Sequence, residues 1–233
     1  MKEKIPEKIN KEEKRLMIID ASEKLFFEKN YEDTTMTEIA KNAGIAKGTL
    51  YLYFSSKKDL YFSVVVRGLK LIEDLIRKNI KTCHTGIEKV VMMGKSYVEF
   101  YKEYPDYYNL IVNYESQKAH LNPEDPLVRL SYEKSEMIFD YLSKSIIEGI
   151  KDKTIRKDVD PQKLAMVLWT QTTGMVQQVK LREILYKKWS NTTPETILDY
   201  YIELTKKLYK IMKVSHWLIF ILKQNDQRSF CFK

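Results

Sequence analysis

Residues 35–60 read TMTEIAKNAGIAKGTLYLYFSSKKDL, two helical patterns separated at Gly44 and followed by the start of a third. Neither of the first two is long enough to hold itself together in water, so neighbours must brace them. Thr35 and Glu38 have the spacing of a reciprocal cap, with the Thr35 hydroxyl accepting from the Glu38 amide and the Glu38 carboxylate reaching back to the Thr35 amide. Met36, Ile39, Ala40 and Ala43 then share one helical face. Gly44 permits the positive φ of a tight inter-helix turn. Beyond it, Ile45, Leu50 and Phe54 are spaced to face inward, leaving Lys47, Gly48, Thr49, Tyr51 and Tyr53 outward. A short braced helix with an outward polar face is the layout of a helix-turn-helix whose second helix enters a DNA major groove.

The outward residues suit that partner in kind. Lys47 and Lys57 can meet phosphates, Thr49 a phosphate or a base edge, and the two tyrosines can donate to phosphate oxygens with their rings along the sugars. Gly48 removes a side chain where a backbone would approach the duplex. From Lys41 to Lys58 there are four lysines and no carboxylate. A plain pair of packed helices joined at a glycine would give the same apolar spacing, but it does not account for an acid-free exposed face.

Few breakers interrupt the rest of the chain: 7 glycines and 6 prolines in 233 residues, among long amphipathic runs, predict an all-α fold of one large or two modest domains. The predicted helices are 11–29, capped by Asn10 and Glu13, the two of the motif, a connecting helix over about 57–81, then 87–104, 105–117, 126–149, 161–186 and 194–212. Asp160-Pro161 and Thr193-Pro194 each pair an N-cap with proline at the first helical position. The formal charge of +8 does not locate a nucleic-acid face. The first sixty residues are nearly balanced, and the excess lies later, notably in Lys206, Lys207, Lys210 and Lys213.

Two cysteines far apart, Cys83 and Cys231, with no CxxC pair, fit a reduced, cytoplasmic setting. The N-terminus lacks the apolar stretch of a signal peptide, and no run approaches the roughly eighteen apolar residues that span a bilayer. No membrane partner is therefore expected. The apolar patch at 217–222 reads as a buried last turn at an interface, a weak membrane-surface contact or a terminus with little function.

A helix, a helix-turn-helix, a connecting helix and a C-terminal helical domain resemble the TetR family of transcriptional regulators. The resemblance rests on Ala46-Lys47-Gly48-Thr49-Leu50-Tyr51-Leu52-Tyr53-Phe54 followed by Lys57-Lys58-Asp59-Leu60, which is similar to the family's KG-x-LY-x-YF-x-x-K-x-x-L signature. Residues 26–31 and Thr34-Thr35 resemble it as well. The match covers about the first quarter of the chain. It implies an N-terminal three-helix DNA-binding domain at 1–56 and a larger ligand-binding and dimerisation domain at 57–233. It also implies a homodimer that binds a palindromic double-stranded operator and represses transcription until a small effector binds. By the family's pattern, Thr35, Thr37, Lys47, Gly48, Thr49, Tyr51, Tyr53 and Lys57 fall at the DNA-binding positions. Ala46 stands where relatives often place serine, and Leu52 where some carry a polar or aromatic reader, so base specificity stays open.

In the second domain, Leu164, Val167, Leu168 and Met175 on one helix and Ile197, Tyr201, Leu204 and Leu208 on another form apolar stripes. They suit either a four-helix dimer interface, as the resemblance implies, or the monomer's own core. Between them and the connecting helix lie many aromatics and methionines. Tyr97, Tyr101, Tyr108, Phe139 and Trp169, with Gln171 as a polar contributor, are candidates to line a cavity for a small hydrophobic or aromatic effector, a cationic one included. The same spacing also describes plain core. Catalytic chemistry finds no support: the three histidines are isolated, no metal or cofactor motif occurs, and Cys83 and His84 are adjacent and diverge on a helix. The alternatives to a ligand-responsive repressor are a nucleoid-associated or activating DNA-binding protein without an inducer, and a helical protein-interaction module.

Overall fold

The computed structural model describes residues 10–116 and 124–209. The apolar patch at 217–222, His120, His216, Cys231, Lys210 and Lys213 lie outside the described residues. Those described form helices and connecting turns only: α1 (Lys11–Lys29), α2 (Met36–Asn42), α3 (Lys47–Tyr51), α4 (Lys57–Ile80), α5 (Gly86–Glu103), α6 (Pro105–Ser116), α7 (Pro126–Lys151), α8 (Pro161–Leu181), α9 (Glu183–Ser190) and α10 (Pro194–Tyr209). None of the described helices is long and apolar enough to cross a membrane.

Helix starts follow the caps. Asn10 and Glu13 form the capping box of α1, and the Asp160 carboxylate accepts from the Gln162 and Lys163 amides ahead of Pro161 in α8. One predicted helix is interrupted. The run 161–186 divides at Arg182 (φ −119°, ψ 19°) into α8 and α9. No glycine or proline forces this break. The buried stripe of α8 ends at Val179, and the residues from Leu181 to Leu185 are all exposed, so no packing holds that turn in register with the helix before it.

The chain packs as two compact units. Among the described residues, the first gathers those up to Leu75 with those of 99–138, and the second Ile76–Val98 with those of 139–209. In the first, Ile18, Leu25 and Phe26 of α1, Ile39 of α2, Leu50 of α3 and Leu60 and Val64 of α4 form the core. A polar clasp ties α1 to α4 and α6. Arg67 Nη1 lies 2.7 Å from both Asp20 Oδ1 and Glu23 Oε2, and the Tyr107 hydroxyl donates to Glu23 Oε2 at 2.5 Å. Burial works to lower the Arg67 pKa, but the hydrogen bonds to Glu23 and Asp20 outweigh it, and the guanidinium stays charged. Burial and the Glu23 hydrogen bond together push the Tyr107 phenol well above its ordinary value, so it stays a proton donor. The Tyr61 hydroxyl adds a bond to the Leu110 carbonyl at 2.9 Å.

In the second unit, α5 and α7 cross with almost no clearance. A Cβ added to Gly86 would stand 2.0 Å from the Gly149 nitrogen, so only glycine fits. The loop after α7 closes the same corner, with the Gly86 amide donating to Asp152 Oδ2 at 2.7 Å and the Ile87 amide to Thr154 Oγ1 at 3.2 Å.

Candidate nucleic-acid interface and effector cavity

α2 and α3 are held by caps and anchors rather than by length. The Thr35 hydroxyl accepts from the Glu38 amide at 3.2 Å and donates to Glu38 Oε2 at 2.9 Å, while the Thr35 amide donates to the same carboxylate at 3.0 Å. Lys29 Nζ reaches the other Glu38 oxygen at 2.7 Å. The Lys29 and Thr35 hydrogen bonds hold the Glu38 carboxyl well below its usual range, at about 2. At the other end of α2, Gly44 takes φ +64°. Its amide donates to the Lys41 carbonyl, and the Ile45 amide to the Ala40 carbonyl. These two bonds form a Schellman motif that satisfies the end of α2 and turns the chain into α3.

α3 is five residues long and rests on Leu50 and Phe54, both buried, with the Arg15 guanidinium 5.0 Å from the Phe54 ring centre. Its other face is open. Lys47, Gly48, Tyr51 and Leu52 are exposed, and Thr49 and Tyr53 are half-buried. A Cβ added at Gly48 would meet nothing within 4 Å, and its φ is not in the left-handed region, so nothing inside the protein requires glycine there. Leu52, which sequence reasoning did not count among the contact residues, is 80% exposed beside them. Its sequence signals are an apolar residue between two outward tyrosines and a position where some relatives of the resembled family carry a reader.

The eight predicted contact residues divide by what their side chains already do. Thr35 spends its hydroxyl proton on Glu38, and Thr37 beside it is exposed. Lys57 Nζ donates to the Tyr31 carbonyl at 2.6 Å and the Glu32 carbonyl at 3.2 Å, and lies 4.3 Å from the Tyr31 ring centre. It fastens the α1–α2 turn. Lys58 meets Asp125 at 3.4 Å. Lys41 and Lys47, in contrast, are exposed and have no ionic partner among the described residues.

The predicted effector residues are likewise separated. Tyr97 and Trp169 lie in the second unit with ring centres 5.8 Å apart, edge to face, and line a cleft of about 520 Å³ of empty space that includes its opening to solvent. Met93 and Gly94 of α5, Leu142 of α7, Leu168, Thr172 and Thr173 of α8, and Tyr201, Ile202 and Thr205 of α10 complete most of its wall. Tyr101 and Tyr108 pack against each other at 5.1 Å in the first unit. Phe139 is half-buried away from the cleft lining, and Gln171 is exposed. The polar edge comes instead from threonines, of which Thr172 and Thr173 bond back to their own helix and give no signal in an amphipathic pattern.

The stripes on α8 and α10 also divide. Leu164 and Leu168 are buried in the unit's own core, whereas Val167 and Leu204 are exposed, together with Met166 and Tyr200. Met175, Ile197 and Tyr201 are half-buried, and the side chain of Leu208 lies outside the described residues.

A five-residue helix braced behind a capped partner, with a long helix following, among described residues that form helices, is the layout of a helix-turn-helix. The family model for bacterial regulatory proteins of the tetR family matches residues 18–64, so that segment is similar to the regulators of the tetR family. The fatty acid metabolism regulator protein of Bacillus subtilis (strain 168) is 34% identical over 83 residues, 36% of this chain and 43% of that protein. The chain thus matches less than half the length of that relative. The HTH-type transcriptional repressor KstR2 of Rhodococcus jostii (strain RHA1) is 27% identical over 63% of this chain and 70% of its own length. The fold is similar to that of the fatty acid degradation regulator FadR from Bacillus halodurans, with a TM-score of 0.62 and 20% identity over 89% of this chain and 96% of that one.

Proposed function

We propose that this protein is a cytoplasmic, ligand-responsive repressor that binds a palindromic double-stranded DNA operator as a homodimer, with residues 1–56 as the DNA-binding domain and 57–233 as the regulatory and dimerisation domain. The observation that carries this reading is the open face of α3. It bears Lys47, Thr49 and Tyr51, with Tyr53 just beyond, and no carboxylate, and Gly48 there has no internal reason to be glycine. A partner's backbone pressed against α3 supplies that reason.

In this reading Lys47 and Lys41 meet phosphates, Thr37 and Thr49 approach backbone or base edges, and Tyr51 and Tyr53 position the helix. Leu52 meets a thymine methyl, the apolar group that the major groove offers. Thr35 and Lys57 act mainly by fixing the turn that aims α3. The exposed Met166, Val167, Tyr200 and Leu204 form the dimer face, since an apolar face of this kind on two helices is a natural surface for a second copy. The cleft beside α8 and α10 takes a small hydrophobic or aromatic effector. Filling it shifts the same two helices, and binding weakens DNA affinity to the extent that the effector prefers the released arrangement. The name of the Rhodococcus relative, a repressor, supports the sign of regulation.

Footprinting tests the proposal. A short symmetric site, with half-sites about 34 Å apart and overlapping a promoter, is the expected result. Diffuse protection or none removes the operator reading. Protection upstream of a promoter with raised transcription replaces repression with activation.

A further inference from the structure

The cleft's wall also constrains the effector's chemistry, on the reading that this cleft is the effector site. None of its lining residues carries a charge. An ionised ligand would lose its hydration there without a counter-charge. The hydroxyls at its edge have assignable proton directions. Thr172 Oγ1 donates to the Leu168 carbonyl at 2.8 Å, so at its 3.0 Å contact with Tyr201 it accepts the phenol proton. Thr173 Oγ1 donates to the Trp169 carbonyl at 3.0 Å. A hydroxyl has one proton, so Thr172 and Thr173 offer lone pairs to the cleft and not donors. Thr205 makes no hydrogen bond among the described residues and keeps both functions.

An acceptor-only group, such as a carboxylate or phosphate, therefore faces lone pairs at Thr172 and Thr173, and the neutral donors of the wall, the Thr205 hydroxyl and the Trp169 indole N–H among them, bring no positive charge to offset its own. A ligand hydroxyl satisfies both kinds of partner, donating to Thr173 and accepting from Thr205. Across the cleft, Tyr97 and Trp169 meet edge to face at an interplanar angle of 65°. One ring's face is thereby covered by the other's edge, which leaves fewer open faces for a quaternary ammonium ion and suits a ligand ring that continues the edge-to-face packing.

We infer that the effector is an uncharged, ring-bearing apolar molecule with one hydroxyl, of the phenol or ring-alcohol class, and that the cleft discriminates against carboxylates and quaternary ammonium ions. Calorimetry on the full chain tests this with four probes: 4-propylphenol, propylbenzene, 4-propylbenzoate and choline. The phenol is expected to bind at least about tenfold more tightly than each of the others, the loss of one well-placed hydrogen bond being worth about that factor. Thr173→Val keeps the side chain's shape and should reduce the preference for the phenol over propylbenzene to less than about threefold. The inference is overturned if benzoate or choline binds as well as the phenol, if the phenol shows no binding, or if Thr173→Val leaves the preference intact. Release of a DNA fragment selected by the protein from random sequence separates this inference from the regulator reading. A charged probe that binds and releases DNA removes the effector class and keeps the regulator, and phenol binding without release does the reverse.

Discussion

The α2–α3 segment and the α8–α10 helices present their surfaces for opposite reasons. α3 is five residues long, is held from behind by Leu50 and Phe54, and shows solvent a face of lysine, threonine and tyrosine. α8 and α10 are 21 and 16 residues long, bury Leu164, Leu168, Leu198 and Ile202 inside their unit, and still expose Met166, Val167, Tyr200 and Leu204. A polar face on a helix too short to be stable alone is suited to something wet and charged. An apolar face on helices already stabilised by their own core is suited to another protein surface. In the proposed function the difference separates reading DNA from assembling the reader, and each function should be removable without the other.

The largest expected effect comes from placing charge on the apolar face. Val167→Glu with Leu204→Glu should convert the protein to a monomer in sedimentation and weaken operator binding by more than about a hundredfold, because each half-site is then engaged alone. Far-UV circular dichroism should be unchanged; a dimer that persists would show that this face serves another purpose. Next is the α5–α7 crossing. Gly86→Ala puts a methyl into the Gly149 backbone and should cost about 1–3 kcal/mol or more, seen as a lowered Tm. An unaltered Tm would mean the crossing can relax.

Lys47 of α3 and Leu52 just after it should behave differently. Lys47→Ala should weaken binding to all sequences alike and reduce the salt slope by about one unit. Leu52→Ala should cost about 1 kcal/mol on thymine-containing operators and nothing on the same operators made with deoxyuridine. Equal losses on both would show that Leu52 does not touch a thymine methyl. Gly48→Ala sets stability against function. It should raise stability by up to about 1 kcal/mol, as alanine is the better helix former, while lowering operator affinity. A variant that is both more stable and fully active would remove the close-approach argument.

The smallest effect is on pH dependence. The folded Glu38 carboxyl is held at about 2 by Lys29 and Thr35, against a reference value of 4.5. A depressed carboxyl pKa contributes stability that is fully present above 4.5 and is lost as pH falls from there towards 2. Glu38→Gln should flatten this part of an acid-unfolding curve, with little change at neutral pH because the group is exposed. A curve that keeps its shape would assign that acid sensitivity to other carboxylates.

Much of the first unit was legible because its signals are local. Asn10 with Glu13, Thr35 with Glu38 and Gly44 act within four residues of themselves, and all three sit where their spacing puts them. The lysines were not legible in the same way. Sequence spacing put Lys57 on the outward face with Lys47, but its ammonium meets the Tyr31 and Glu32 carbonyls, 26 and 25 residues away. The break at Arg182 carries no breaker residue, and the effector candidates shared a helical pattern without sharing a unit.

By itself the sequence determined the helical class, the caps, the turn at Gly44 and the acid-free run from Lys41 to Lys58, since each depends on residues within a turn or two of one another. Only the tertiary structure decided which lysines remain without ionic partners, that Leu52 stands open, which half of each stripe is core, and that Tyr97 and Trp169 line one cleft with three threonines. Those outcomes depend on which distant groups come within a few ångströms. One amphipathic pattern is compatible with many such arrangements, and packing selects among them.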